Sequence, residues 1–156
     1  MKYLEYQDSP WGRLMLRADQ VGITMVAFDA GSAEHPNPSP ITSQARRELE
    51  AYINGRLTRF TVPLNPAGTP FQQAVWQALC SVEFGTTASY ADIARQLNNP
   101  NAVRAVGMAN SRNPVAILIP CHRIIGSNGT LTGYAGGLER KAALLRHEGG
   151  QHSLWA

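Results

Sequence analysis

The spacing of apolar residues changes once along this chain, and it changes across Asn65-Pro66-Ala67-Gly68-Thr69-Pro70. Before that segment apolar residues recur at every second position, the period of a strand with one face packed. After it they recur at i, i+3 and i+4, the period of a helix. Such a chain cannot form one uniform layer. It predicts an α+β protein in two parts, residues 1–66 and 67–156, divided where two prolines and a glycine interrupt both periods.

In the first part, Lys2–Tyr6, Trp11–Arg17 and Val21–Phe28 each alternate. Leu14 and Leu16 share one face of the second, and Ile23 and Met25 oppose Thr24 and Val26 on the third. A small antiparallel sheet is expected. Asp29–Pro40 holds Pro36, Pro38 and Pro40 and reads as an exposed loop. Thr42–Asn54 carries Ala45, Leu49, Tyr52 and Ile53 at helical spacing and stops at Gly55.

The second part begins with Phe71, Ala74, Val75, Ala78 and Leu79 on one helical stripe. Ser89–Leu97 repeats the pattern, with Ser89 as its expected N-cap. Asn98-Asn99-Pro100 breaks that helix, and Asn99 is placed to cap another, with Pro100 at its first position, running to about Asn110. Two helices joined by so tight a turn suggest a helix-turn-helix, whose second helix meets DNA. A helical hairpin that binds nothing fits the same spacing. Val115-Ala116-Ile117-Leu118-Ile119 is continuously apolar and predicts a buried strand.

Composition excludes several classes. No stretch approaches the roughly 20 apolar residues of a membrane span, and the N-terminus lacks an apolar signal core. Two cysteines, Cys80 and Cys121, are too few for a disulfide framework. A soluble, cytoplasmic, reduced chain is expected. Residues 1–68 balance seven Lys/Arg against seven Asp/Glu, while residues 69–156 carry seven against four. The whole +3 excess therefore lies in the second part, as a polyanionic partner would require, although a mildly basic surface also explains it.

Pro120-Cys121-His122-Arg123 follows the apolar run directly. Neighbouring positive charge favours a thiolate. On a strand, however, adjacent side chains point to opposite faces. His122 reaches Cys121 directly only if the chain turns there; otherwise a water bridges them. A structural cysteine beside a solvated basic pair is the competing reading. Cys80 ends an amphipathic helix without a basic neighbour and reads as packing.

Beyond that tetrapeptide, the second part closely resembles the O6-alkylguanine-DNA alkyltransferases. Asn113-Pro114-Val115 through Arg123 and Ile124 resembles their NPV-x-ILIPCHR-V segment, and Ser89-Tyr90-x-x-Ile93-Ala94 their SY-x-x-LA helix. Ala102-Val103-Arg104-Ala105-Val106-Gly107 resembles their recognition helix. Gly133–Leu138 and Leu144–Gly149 resemble their closing motifs. The likeness runs in order through residues 69–150; residues 1–68 agree only in length and in their strand–loop–helix pattern.

The resemblance implies a ribonuclease H-like first domain and a winged-helix-like second domain. It also implies irreversible transfer of an alkyl group from guanine to the protein's own cysteine, without a cofactor. Cys121 would be the nucleophile, His122 its base through a water, and Glu148 the group orienting that histidine. Tyr90 would protonate N3 of the departing guanine, and Asn113 would hold the active-site loop by side-chain hydrogen bonds. Carbonyls of Cys121 and Ile124 and the amide of Ala135 would read the base, beside Tyr134. Arg104 would fill the space left by a flipped nucleotide, with Ala102 and Ala105 letting the helix approach the minor groove of double-stranded DNA and Arg123 among the DNA-contacting residues. A monomer is expected. Residues 1–68 hold no cysteine and one histidine, His35, so no zinc is expected. An alkyltransferase-like damage-binding protein and a helix-turn-helix regulator are the alternatives; the first ordinarily replaces the cysteine, which is present here.

Overall fold

A computed structural model describes residues 2–29 and 31–149; the tail Gln151–Ala156, with Trp155, lies outside them. The chain divides into two compact units, Met1–Ala67 and Gly68–Ala156. The first has β1 (Tyr3–Gln7), β2 (Leu14–Ala18), β3 (Ile23–Phe28) and α1 (Pro40–Ile53). Its sheet is antiparallel in the order β1-β2-β3, and α1 packs on β1 and β2. Leu14, Leu16, Ala18, Leu49 and Tyr52 are buried between them.

Two local readings differ from expectation. The ladder pairs Arg17 with Met25 but Ala18 with Ile23, leaving Thr24 as an extra residue on β3. This bulge turns the strand by one position, so Ile23 and Val26 are the buried pair and Met25 is not. The helix α1 also begins inside the stretch expected to be loop. Ser39 caps it through Thr42 in a reciprocal capping box, with Pro40 at N1, where a missing N–H costs nothing.

The second unit holds α2 (Pro70–Leu79), β4 (Ala88–Ser89), α3 (Tyr90–Gln96), α4 (Val103–Ser111), β5 (Ile124–Ile125) and α5 (Leu138–His147). Thr69 and Ser89 cap α2 and α3 through capping boxes with Gln72 and Asp92. The helix α4 packs against α2 and α3, and the Trp76 indole donates to the Ala109 carbonyl at 2.9 Å. It begins at Val103 rather than at Pro100, and Ala102 precedes it without a side-chain cap. Asn98, at φ 56°, and the turn that follows take up the residues expected to open it.

The apolar run Val115–Ile119 is not a strand. It folds into consecutive tight turns, with the Leu118 amide donating to Ala116 O at 2.8 Å and the Ile119 amide to Val115 O at 3.0 Å. Ile117 takes φ 69°, a strained setting for a β-branched residue. Apolarity reported burial correctly, but burial was achieved without extension. The parallel β4–β5 ladder lies instead at Ala88–Ser89 and Ile124–Ile125, on either side of those turns in the chain.

Candidate active site

The tight turns deliver the chain into a single 3-10 turn, Cys121–Arg123, with all three side chains buried. The chain therefore turns at Cys121 rather than running on as a strand, and His122 Nδ1 makes no direct hydrogen bond among the described residues. His122 and Arg123 both reach Glu148, the C-cap residue of α5. His122 Nε2 lies 2.8 Å from Glu148 Oε2. Arg123 holds the same carboxylate with two hydrogen bonds, Nε to Oε1 at 2.7 Å and Nη2 to Oε2 at 3.0 Å, and donates from Nη1 to the Val82 carbonyl at 2.7 Å. Arg123 was expected to contact DNA. Its burial corrects that reading: the guanidinium is an anchor for Glu148 inside the protein.

The charges in this cluster follow from geometry. Burial alone would raise the Glu148 pKa, but hydrogen bonds from His122 and Arg123, with their charges, hold it below the usual carboxylate range. Glu148 is therefore an anion and accepts from His122 Nε2. The proton on Nε2 leaves Nδ1 with the lone pair. Burial pushes the His122 pKa down, outweighing the hydrogen bond and charge of Glu148, which act the other way. The histidine is therefore neutral, and its Nδ1 is buried without a partner among the described residues. Burial likewise raises the Cys121 thiol, opposed by a hydrogen bond from Asn113 and by the charge of Lys141.

Asn113 bonds through its side chain to the turns that precede Cys121. Its Nδ2 donates to the Val115 and Ile119 carbonyls at 3.3 and 2.9 Å, and its Oδ1 accepts from the Val115 amide at 2.9 Å. These bonds replace those a sheet neighbour would have made. Tyr90, the first residue of α3, is half-buried, and its hydroxyl lies 2.6 Å from Thr132 Oγ1. Tyr134 is half-buried with its hydroxyl buried and without a partner, in a turn closed by the Gly137 amide donating to Tyr134 O at 2.9 Å. Ala135 is exposed in that turn.

On α4, Arg104 and Ala105 are exposed and Ala102 is half-buried, while Val106 and Ala109 face the core. Gly107 faces the Tyr90 ring: a Cβ there would sit 3.8 Å from it, in ordinary contact. Cys80, expected in packing, is exposed at the end of α2, and Arg123 rather than no basic group is the charge that acts on it.

One residue of this region went unread in the sequence. Lys141 is completely buried on α5, with Nζ donating to the Ile124 carbonyl at 2.5 Å and the Thr132 carbonyl at 3.0 Å. Its signal was available. Lys141 stands between Leu138 and Leu145 on the stripe that also carries Ala142 and Leu144, a charged residue in an apolar position of an amphipathic helix.

Comparison with known proteins agrees with this geometry. Residues 70–150 match the family model for the DNA binding domain of 6-O-methylguanine DNA methyltransferase, and residues 2–66 match that for its ribonuclease-like domain. The methylated-DNA–protein-cysteine methyltransferase of Methanosarcina acetivorans is 46% identical over 153 residues, covering 94% of this chain and 98% of that protein. That of Haemophilus influenzae is 45% identical, covering 94% and 86%. Among solved structures, Mycobacterium tuberculosis O6-methylguanine methyltransferase aligns at a TM-score of 0.85 with 44% identity, covering 98% of this chain and 96% of that one. The structure of Mycobacterium tuberculosis OGT in complex with DNA aligns at 0.82 with 45% identity, covering 95% and 92%. With both family models matched in order and relatives this similar over nearly their whole length, the chain belongs to the 6-O-methylguanine DNA methyltransferase family.

Proposed function

We propose that this protein repairs DNA by taking the alkyl group of O6-alkylguanine onto Cys121, once per molecule. The observation that carries the proposal is the buried His122–Glu148 pair next to Cys121 in the chain, in which a neutral imidazole is oriented by an anion and its Nδ1 is left without a partner among the described residues. His122 Nδ1 takes the thiol proton, through a water that spans the gap between neighbouring residues. The imidazolium that forms is stabilised by Glu148, which Arg123 holds in place.

The Cys121 sulfur then attacks the alkyl carbon. A sulfur–carbon bond forms as the carbon–O6 bond breaks, and the electron pair stays on guanine. The Tyr90 phenol gives its proton to N3, so the base leaves neutral, and the imidazolium and phenolate left behind neutralise each other through solvent. The thioether does not hydrolyse under mild conditions, so the protein is consumed.

The reacting atom is inaccessible inside a duplex, so the nucleotide must leave the stack. Arg104, exposed on α4, fills the vacated space, and Ala102 and Ala105 let that helix lie close in the minor groove. The carbonyls of Cys121 and Ile124 and the amide of Ala135 read the base beside Tyr134. The protein acts as a monomer.

The test is incubation with duplex DNA carrying a single O6-methylguanine, followed by mass spectrometric mapping. Transfer should plateau at one methyl per protein, on the peptide containing Cys121. Cys121→Ser should transfer nothing and still bind DNA, and Cys80→Ser should transfer normally. Turnover beyond one equivalent, or methyl on Cys80, would overturn the proposal.

A further inference from the structure

The mechanism gives no task to the buried lysine beside the Cys121 turn. Lys141 is completely buried, and both hydrogen bonds its ammonium makes among the described contacts go to backbone carbonyls, those of Ile124 and Thr132. Burying a lysine is costly when no carboxylate compensates it, and a leucine or methionine on the same helical stripe would pack without that cost. The two carbonyls are informative. Ile124 follows the Cys121–Arg123 turn directly. Thr132 opens the segment leading to the Tyr134–Gly137 turn, and its hydroxyl lies 2.6 Å from that of Tyr90. Lys141 is therefore tied to the residues that flank the nucleophile and to the residue that holds the leaving-group acid.

We infer that Lys141 is a positioning residue for alkyl transfer: its buried ammonium stabilises the Cys121 thiolate and, through Thr132, fixes Tyr90 on the opposite side of the guanine. This rests on the proposed function and adds a cation to it. The charge effects are mutual. Lys141 lowers the Cys121 pKa, and Cys121 in turn opposes the burial that brings the Lys141 pKa down to about 8. Other charged or titratable groups described in this region are His122, Arg123 and Glu148, which bond to one another, with Arg123 also donating to the Val82 carbonyl; Tyr90, bonded to Thr132; Tyr134, whose hydroxyl is buried without a partner; and Arg140, which donates to the Gly136 carbonyl. The charge of the buried Lys141 ammonium favours the Cys121 thiolate.

Carbamidomethylation of Cys121 by iodoacetamide, followed as a function of pH by mass spectrometry, reads the thiol without needing alkylguanine or DNA. Lys141→Met should move the midpoint of that profile upward by about one pH unit or more, the size of a near-charge effect, and Lys141→Arg should restore part of it. Thr132→Val should leave the profile in place but slow methyl transfer, since it cuts the link to Tyr90 alone. An unmoved midpoint in a folded Lys141→Met protein would overturn the inference, as would normal transfer by Thr132→Val. Should Lys141→Met fail to fold, the unmutated protein still decides. The Cε resonance of Lys141, titrated by NMR before and after iodoacetamide treatment, should show a lower pKa once the thiolate is gone; an unchanged one refutes the linkage. Wild-type protein that gives these thiol and lysine titrations yet transfers no methyl from DNA would refute the proposed function instead.

Discussion

The two units differ in where they concentrate charge, although each has a surface ion pair, Arg17–Glu34 in the first and Arg95–Asp92 in the second. In Met1–Ala67, Arg17–Glu34 lies at the surface, while Arg13–Asp29 and Arg46–Glu5 each join a solvent-accessible arginine to a more sheltered carboxylate. Arg13 adds a bond to the Ser32 carbonyl and lies over the Tyr6 ring, so the Arg13–Asp29 and Arg17–Glu34 pairs tether the loop after β3 to the sheet. The carboxylate of Glu5 accepts from two hydroxyls, Thr42 Oγ1 at 2.6 Å and Ser43 Oγ at 3.0 Å, and serves to hold α1 on β1. In Gly68–Ala156, by contrast, His122, Arg123, Lys141 and Glu148 are all buried in or beside the Cys121 turn. A surface pair costs little and contributes little. A buried set costs several kcal/mol in lost hydration unless each member is satisfied. The lesson is that the second unit carries a desolvation penalty at the Cys121 turn that the first unit does not carry, as the proposed reactivity of Cys121 would require.

That contrast can be broken most directly at Glu148. Glu148→Gln removes the anion that orients His122 and leaves Arg123 uncompensated. The transfer rate should fall by about a hundredfold or more, and stability by about 3–5 kcal/mol. Chemical denaturation and single-turnover transfer read the two effects separately; loss of stability with an intact rate would make the cluster structural. Exposure should then divide two arginines of the second unit, Arg104 and Arg123. Arg104→Ala should slow repair of duplex DNA roughly tenfold, one factor of about 1.4 kcal/mol, and barely alter reaction with the free base O6-benzylguanine. Arg123→Ala should damage both.

Acid should separate the units next. His122 is held neutral by burial, with its pKa lowered. As pH falls below about 6.5, the unfolded chain binds a proton that the folded chain refuses. Stability should therefore decline in that range, and His122→Asn should flatten the slope in melting experiments. The Glu148 contribution, from a pKa below its ordinary value, persists above the unfolded carboxylate pKa and is lost only as pH falls further, towards the folded value. In the first unit, Glu5→Gln should cost about 1–2 kcal/mol through its weakened hydroxyl bonds with transfer unchanged. Smallest of all, Glu34→Gln should leave both melting midpoint and transfer within error; a clear loss of either would mean the loop tether matters more than its exposure suggests.

Much of this was legible before any coordinates. Helix stripes placed α1, α2 and α3 to within a few residues, because the signals that set them lie three and four positions apart. The Ser89 cap was read for the same reason, while the Ser39 cap was hidden by a proline that looked like loop. The bulge at Thr24 was not legible, since alternation cannot announce an inserted residue. Nor was the shape of Val115–Ile119. An apolar run reports that a segment is buried, and the turn it takes depends on which polar side chain, here Asn113, supplies its hydrogen bonds.

The sequence by itself determined the change of period, the helices, the small sheet and the identity of the Pro120–Ile124 box. Only the tertiary structure decided what that box does with its charges. It brought Glu148 to His122 across 26 positions, turned Arg123 inward, and buried Lys141 against Ile124 and Thr132. The physical reason is range. Backbone conformation answers to neighbours within a turn or two, whereas the energy of a charge depends on how much water every surrounding segment removes and on which partners arrive to replace it.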